Sequence, residues 1–358
     1  MITSRLKLIW TMYLIAVFSI AIALFILFKP DHRTRLYVYN WSDYIDPDVI
    51  AAFEKENDCQ IIIDTFSDNE SMLAKLMSGG TGYDVIFPSS YVVPVMVRQK
   101  FVRKLDMEKL PNVKKYFDAK YKSLLHDDSL VYSVPYAFSM TGIAYRKDKV
   151  PEGMLKHSWY DLMCPAFGKR VSLLRDMREM LGIGLIATGH DVNTSSEKEL
   201  EDSLTYLKQF KKHISKLDNE MYRTALVNGE LYACIGYNSD VVQVMMENED
   251  CPIGFFIPAD GSTCCWDEMV ISASTTKGEL AHAFINYLYD PEVAAKNLAY
   301  TCSVVPNTEM WNHVDDEFIH NYLVNVPDET INRLFLIKDV GENIKLFNDA
   351  WDKFMSSK

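Results

Sequence analysis

Four short stretches of this sequence combine aromatic rings with hydroxyl or carboxyl groups, and each lies beside a predicted strand. They are residues 41–44 (WSDY), 88–91 (PSSY), 237–240 (YNSD) and 265–269 (CWDEM). The first three follow the end of a predicted strand, and the fourth comes just before one. We expect such loops to meet at one edge of a sheet. There they would supply an aromatic wall with carboxylates, formed by Trp41, Tyr44, Tyr91, Tyr237, Trp266, Asp240 and Asp267.

This combination of side chains is suited to binding an alkyl amine. Aromatic faces hold a methylene chain and attract ammonium groups, and each cation–π contact contributes ~0.5–2 kcal/mol. A carboxylate fixes an ammonium through hydrogen bonds that are shorter and stronger than those between neutral groups. Buried acids without a partner are costly, so a ligand with two positive charges would relieve them. The side chains therefore predict a site for a small, multiply charged cation.

Several of these residues also have a purely structural interpretation. A single Trp is more often part of a core than of a ligand site. Tyr91 could simply cover the edge of the sheet without contacting a ligand. Asp240 could serve the first turn of a helix. The convergence of four loops favours the ligand site for Trp41 and Tyr44.

The elements that carry these loops predict an open α/β sheet. Strands at residues 36–39, 59–65 and 83–89 alternate with two helices, and this β-α-β-α-β order is typical of parallel strands with right-handed crossovers. The first helix has Asp46 as its N-cap and Pro47 at its first position. Further strands are predicted at residues 142–145, 170–174, 232–235, 253–257 and 269–272, and further helices at 177–187, 197–211, 220–227, 240–247, 278–288, 292–299 and 343–354.

The length of 358 residues suggests two lobes. No Gly/Ser-rich linker separates them, so the chain should cross between the lobes more than once. We predict lobe 1 from residues 34–141 and 268–305, and lobe 2 from residues 142–267 and 306–358. A ligand would bind in the crevice between them.

The composition narrows the classes of function. The formal net charge of -12 argues against a nucleic-acid partner, because binding to phosphates needs a basic face. An acidic body suits a cationic ligand.

The N-terminal residues predict a membrane anchor. Residues 8–28 carry no charge and are long enough to cross a bilayer as a helix. A cleaved signal peptide would have a shorter apolar region and a small-x-small exit, which the stretch FILFKPD lacks. We interpret this run as an uncleaved transmembrane signal anchor, with residues 1–7 as a short cytoplasmic tail and the body outside the cytoplasm, although Lys29, Arg33 and Arg35 also place positive charge on the far side.

Catalytic and metal chemistry have little support. The seven cysteines form no CxxC pair and no Cys/His spacing typical of zinc, so we predict neither a metal nor a cofactor. We interpret the adjacent Cys264 and Cys265 as two ordinary thiols, because a disulfide between them would close a strained ring. The motifs GxSxG, HExxH and GxGxxG are absent, so we predict that the chain is not an enzyme.

Longer motifs carry a resemblance to a known family. YNWSDYI, DTFSDNESMLAKLMSGGTGYDVIFPSSY, VYSVPYAFSMTGIAY and NYLYDPEVA follow one another in this order. From about residue 35 to the last helix, the chain resembles the polyamine-binding proteins that deliver spermidine or putrescine to ABC transporters. This resemblance implies a two-lobed periplasmic-binding-protein-like fold with crossing hinge segments, and a polyamine ligand. It also implies a location in the periplasmic space, anchored to the inner membrane, with the permease subunits of a transporter as partners.

The resemblance also implies a set of ligand-binding residues. Asp267 aligns with the acid that binds one terminal amine, and Tyr237 stands where the family usually has a stacking Trp. Asp176 and Glu179 align with acidic pocket positions, although an exposed helix start paired with neighbouring arginines is the competing interpretation. The full set of implied ligand-binding residues is Trp41, Ser42, Tyr44, Ser89, Tyr91, Asp176, Glu179, Tyr237, Asp240 and Asp267.

Three positions depart from the family pattern and leave the choice of ligand open. Cys265 and Ser303 replace aromatic residues, and Ile337 replaces a Gln. A receptor of the same fold for another small cation, an amino acid or a metal chelate is therefore an alternative. A tethered enzyme that acts on amines is a further alternative, but the sequence shows no nucleophile–base pair for it. A sensory domain that signals through its anchor is another, but the predicted tail of about seven residues leaves no cytoplasmic output module for it.

Overall fold

The computed structural model describes residues 10–15, 17–19, 32–80, 82–125, 129–248, 250 and 252–357. The strands are β1 (Thr34–Asn40), β2 (Cys59–Thr65), β3 (Val85–Ile86), β4 (Ser133–Arg146), β5 (Val171–Leu173), β6 (Ile214–Leu217), β7 (Ala233–Tyr237), β8 (Ile253–Phe256), β9 (Ser262–Ile271) and β10 (Leu334–Leu336). The helices are α1 (Pro47–Glu56), α2 (Asn69–Met77), α3 (Val93–Arg98), α4 (Pro111–Tyr116), α5 (Met177–Ala187), α6 (Glu197–Phe210), α7 (Tyr222–Val227), α8 (Asn238–Glu247), α9 (Gly278–Leu288), α10 (Pro291–Thr301), α11 (Asp316–Ile319), α12 (Asp328–Ile331) and α13 (Ile344–Ser356).

The first strands form the predicted parallel unit. β1 pairs in parallel with β2 on one side and with β3 on the other. The Asp46 side chain accepts a hydrogen bond from the Asp48 backbone at 2.7 Å, and Pro47 is the first residue of α1. The Asp46 side chain satisfies a backbone N–H that has no partner within the helix, and Pro47 has no N–H that would need one, so both residues favour the start of the helix here. The prediction of an α/β sheet with this capped helix is therefore confirmed.

Two strands connect the two halves of the sheet. The order of the strands is β2-β1-β3-β9-β4-β7-β5-β6, with β10 beside β9 and β8 beside β4. The first part of β4, from Ser133 to Met140, pairs with β9. From Thr141 onward β4 pairs with β7 instead, and its last residues also pair with β8. One half is thus built around β1 and the other around β7, and the fold has two lobes joined through the β4–β9 pair. The four residue ranges given above for the lobes remain a prediction.

The extent of β9 differs from the sequence prediction. Residues 265–269 do not form a loop before a strand, because β9 already begins at Ser262. All ten residues of β9 are buried. Both faces of the strand are therefore covered, and its sequence lacks the alternation of apolar and polar residues that marks a half-buried strand. β4 is likewise much longer than the predicted strand at residues 142–145.

Most of the predicted N-terminal anchor lies outside the described residues. Residues 10–15 and 17–19 are helical, whereas the rest of the range 8–28 and the tail 1–7 are not among the described residues. In the parts of the chain that are described, no helix has both the length and the apolar character needed to cross a membrane.

Candidate functional site

One cavity brings all ten predicted site residues together. Its volume is about 1070 Å³ when the mouth that opens to solvent is included. Most of its wall is formed by the segments at the ends of β1, β2, β3, β5, β6 and β7 and by two residues of β9, and Ser139, Thr301 and Ile337 complete it. The cavity therefore lies at the carboxyl ends of strands from both lobes, where α/β folds commonly bind ligands. The predicted residues in its wall are Trp41, Ser42, Tyr44, Ser89, Tyr91, Asp176, Glu179, Tyr237, Asp240 and Asp267.

Asp267 is a buried carboxylate held by two hydroxyl groups. The Tyr44 hydroxyl donates to Oδ2, and the Ser89 Oγ donates to Oδ1 at 2.7 Å. Only 7% of Asp267 is exposed. Burial raises the pKa of Asp267 to about 6, although both hydroxyl donors act in the opposite direction. Both donors are neutral, so the carboxylate has no cationic partner in this set of hydrogen bonds.

Asn69 supports the same corner of the cavity and was missed at the sequence level. Its Nδ2 lies 3.0 Å from both Ser89 Oγ and the Tyr91 hydroxyl, and its Oδ1 accepts from the Ser89 backbone at 3.1 Å. Asn69 is the first residue of α2, a few residues after β2 ends. The rule that singled out residues 41–44, a polar group just after a strand, would have found it.

The aromatic wall differs in part from the prediction. Trp41 packs on Phe66, with 4.4 Å between ring centroids, and both line the cavity. Tyr91 and Tyr237 are further rings in the wall. Phe66 follows β2 directly, but a single Phe carried no sequence signal of its own.

The prediction that Trp266 belongs to this wall is wrong. Its side chain is fully buried and packs against Phe138 and Tyr121, at centroid distances of 4.8 and 5.1 Å. Successive residues of a strand point to opposite faces. Since Cys265 and Asp267 face the cavity, Trp266 must point into the core.

Asp176 and Glu179 form an acidic pair at the start of α5. Asp176 caps this helix and accepts from the Glu179 backbone at 2.9 Å. Glu179 is only 4% exposed, and its Oε2 accepts from Thr141 Oγ1 at 2.7 Å and from Thr263 Oγ1. Burial and the charge of Asp176 raise the pKa of Glu179 to about 7. The interpretation as an exposed helix start is thus wrong for Glu179.

The arginine between these two acids does not face the cavity. Arg178 is buried, and its guanidinium donates to the Lys338 carbonyl and to Asn193 Oδ1, both at 2.9 Å. It also stacks against the Phe347 ring. Arg178 therefore ties α5 to the C-terminal segment, and it leaves the acidic pair facing the cavity.

The position of Asp240 agrees with both of the roles considered for it. It lies in the first turn of α8 and also lines the cavity. The Tyr222 hydroxyl donates to its Oδ2 at 2.5 Å, and the Arg223 guanidinium lies 3.7 Å from its Oδ1. Burial raises the pKa of Asp240, and Arg223 opposes that rise.

The positions that depart from the family pattern have different surroundings. Cys265 and Ile337 line the cavity, whereas the buried Ser303 lies in a small neighbouring pocket. Cys264 and Cys265 are both free thiols, and burial raises both their pKa values, which makes each a poor nucleophile. The described residues contain no cluster of side chains suited to a metal ion.

A two-lobed α/β fold with a cavity at the strand ends is typical of receptors for small solutes. Consistent with this class, the family model for bacterial extracellular solute-binding proteins matches residues 48–321, and the chain belongs to that family. The family consists of receptors rather than enzymes, as the absence of catalytic motifs predicted.

Individual relatives and structures agree with this assignment. The chain is 29% identical to the putrescine-binding periplasmic protein PotF of Escherichia coli, over 91% of this chain and 92% of that protein. It is 28% identical to the putrescine/cadaverine-binding protein of Pseudomonas aeruginosa, over 88% of this chain and 92% of that protein. The spermidine/putrescine ABC transporter substrate-binding protein PotD of Streptococcus pneumoniae has a similar structure, with a TM-score of 0.77, 25% identity, and coverage of 90% of this chain and 98% of that one.

Proposed function

We propose that this chain is the receptor of an ABC transporter and binds a polyamine, putrescine or spermidine, outside the cytoplasm. The observation that carries the proposal is Asp267, a buried acid that receives only neutral hydroxyl donors from Tyr44 and Ser89. An ammonium group is the partner that such a carboxylate lacks. The ligands named for PotF and the Pseudomonas protein support the same class of compound.

In the proposed complex, Asp267 binds one terminal ammonium. The methylene chain lies against the rings of Trp41, Phe66 and Tyr237, which remove it from water. The same rings attract the ammonium groups at its ends through cation–π contacts. The acidic pair Asp176–Glu179 binds a second ammonium. We assign these roles from the position of each side chain in the cavity wall.

We further propose that ligand binding closes the two lobes and that the closed receptor docks on the permease subunits. Loops from both lobes contribute to one cavity, so a ligand held between them favours the closed arrangement. The names of PotF and the Streptococcus protein support a periplasmic, transporter-associated location.

The experiment that tests this function is a thermal-unfolding screen of the full chain in mild detergent. Putrescine, cadaverine, spermidine, spermine, lysine and arginine are added in turn. A ligand at a hundred times its dissociation constant should stabilise the protein by about 2.7 kcal/mol. A rise in Tm with the polyamines but not with the amino acids supports the proposal. A rise with lysine or arginine alone would identify a receptor for basic amino acids instead.

The uncharged run at residues 8–28 is proposed to anchor this receptor to the inner membrane. An anchor would keep the receptor close to its transporter without a lipid. Alkaline carbonate extraction of membranes, followed by N-terminal sequencing, tests this idea. Retention of an intact N-terminus in the membrane pellet is expected, and a released protein cleaved after this run would refute the anchor.

A further inference from the structure

The cavity contains a positive charge of its own. Among the described residues that line it, Arg223 is the only one with a cationic side chain. Its Nη1 donates to Gln243 Oε1 at 3.0 Å and lies 3.7 Å from Asp240 Oδ1. Its Nη2 lies 4.0 Å from Asp43 Oδ2. Because only 25% of the Arg223 side chain is exposed, these contacts hold the guanidinium in the wall.

We propose that Arg223 determines specificity: by neutralising Asp240, it restricts the cavity to amines with two positive charges and favours a putrescine-like diamine over the triamine spermidine. This inference rests on the proposed function and deepens it. Arg223 stands in α7, outside the ten predicted site residues, and neither its type nor its spacing marked it in the sequence.

The charges that remain in the cavity wall match a diamine. Asp267 has only neutral donors and provides one anionic position. Asp176 and Glu179 lie at the start of one helix, where Asp176 caps the Glu179 backbone, and burial and the charge of Asp176 raise the pKa of Glu179 to about 7, although Arg178 opposes that rise. Near neutral pH the two carboxyl groups therefore carry fewer than two full negative charges, and we count them as the second anionic position. The other two acids in the wall, Asp43 and Glu220, are exposed and therefore screened by water.

Among the described residues, the Arg223 end of the cavity offers a third ammonium only the exposed acids Asp43 and Glu220 and the already paired Asp240. The Asp240 carboxylate already has the Tyr222 hydroxyl at 2.5 Å and the guanidinium at 3.7 Å. A spermidine that reached this end would place a positive charge beside Arg223, and like charges repel strongly at such distances when they are partly removed from water. Putrescine has no third charge to place there.

Isothermal titration of the full chain with putrescine and spermidine tests the inference. We expect the wild-type chain to bind putrescine at least tenfold more tightly than spermidine. Arg223→Gln should reduce this ratio at least tenfold by strengthening the binding of spermidine, whereas Arg223→Lys should keep the wild-type ratio. Arg333→Gln, an arginine outside the cavity wall, controls for the change in net charge. The Tm of each variant verifies that it is folded.

Two results would overturn the inference and are distinguishable. If the wild-type chain binds both amines and Arg223→Gln leaves the ratio unchanged, Arg223 does not set specificity but the proposed function stands. If the wild-type chain binds neither amine, the proposed function itself fails, and this inference fails with it.

A double-mutant cycle identifies Asp240 as the partner through which Arg223 acts. In the Arg223→Gln background, the further change Asp240→Asn should remove the tenfold gain for spermidine. In the wild-type background, Asp240→Asn should bring no gain at all, because Arg223 still faces the ligand. Additive effects of the two substitutions would contradict the assigned pairing.

Discussion

At the scale of single residues, Asp267 shows how a buried acid can be kept ready for a cation. Its two oxygens accept from Tyr44 and Ser89, which lie in segments far from it in the sequence. These hydroxyl groups orient the carboxylate without neutralising it, and burial raises its pKa. A ligand ammonium would therefore gain a charge-assisted hydrogen bond that the free protein does not have.

Asp267→Asn is expected to weaken polyamine binding at least about 30-fold, since the loss of one member of a buried charge pair costs about 2–5 kcal/mol. Titration calorimetry measures the change. The Tm of the ligand-free variant should not fall, because Asn removes a buried charge. Asp349→Asn, on an exposed part of α13, is the matched control. Equal affinity in the Asp267 and Asp349 variants would contradict the anchor role.

The dependence of binding on pH follows from two raised pKa values. Burial favours the protonated forms of Asp267, with a pKa of about 6, and of Glu179, with a pKa of about 7. An ammonium ligand favours the ionised forms, so it must expel protons when the pH is below these values. The stability of the free protein depends on pH in the opposite direction. The stability from the raised pKa values is fully present below about pH 4, near the unfolded values, and is lost as the pH rises through 6 and 7.

We therefore expect the affinity for putrescine to fall as the pH decreases from 8 to 5, by up to about tenfold per pH unit for each group that must lose a proton. The ligand-induced rise in Tm should be larger at pH 8 than at pH 5. Calorimetry in buffers of different ionisation enthalpy counts the protons released. An affinity that does not change over this range would show that neither acid pairs with the ligand.

At the scale of elements, the two faces of β9 separate binding from stability. Cys265 and Asp267 point into the cavity, whereas Trp266 packs on Phe138 and Tyr121 in the core. A shift of this strand by one residue would exchange the two faces. The pairing of β9 with β4 and the bridge between Ser89 and Asp267 fix the register that the site requires.

Replacing the two tryptophans should separate these roles. Trp266→Ala is expected to reduce the free energy of unfolding by about 3–5 kcal/mol, because it leaves a cavity in the core. Trp41→Ala should reduce stability much less, since Trp41 is only half-buried, but should weaken polyamine binding. Denaturant unfolding and titration calorimetry measure the two effects. The reverse pattern would contradict the assignment of the two rings.

At the scale of the whole molecule, the β4–β9 pair connects the two halves of the sheet. β9 pairs with β3 of one half, β4 pairs with β7 of the other, and β4 and β9 pair with each other, so we expect a movement of one lobe to bend these two strands. Away from the cavity, Arg98 of α3 and Asp339 in the C-terminal segment form an ion pair at 2.5 Å. In the predicted division of the chain, this pair joins lobe 1 to lobe 2, and we propose that it favours the closed form.

Arg98→Ala should therefore weaken polyamine binding slightly, by up to about fivefold, since a partly exposed ion pair contributes about 0.2–1 kcal/mol. The difference in polyamine affinity between wild type and variant should become smaller in about 0.5 M salt, because salt screens the ion pair. Titrations at low and high salt measure it. Identical affinities at low salt would exclude a role for this pair in closure.

The sequence by itself determined the class of fold and most of the candidate site. Trp41, Tyr44 and Tyr237 could be found because they stand at or just after the ends of strands, and the carboxyl ends of parallel strands converge. The capped start of α1 was equally readable, because an N-cap and a first-turn proline act locally.

Only the tertiary structure decided how these groups face one another. Trp266 was misplaced because β9 is buried on both faces, so its sequence shows no alternation from which a direction can be derived. Phe66 and Arg223 were missed for a different reason: their roles depend on Trp41 and Asp240, which other segments supply. Contacts between distant segments depend on the path of the whole chain, and that path is fixed by packing rather than by any local pattern of residues.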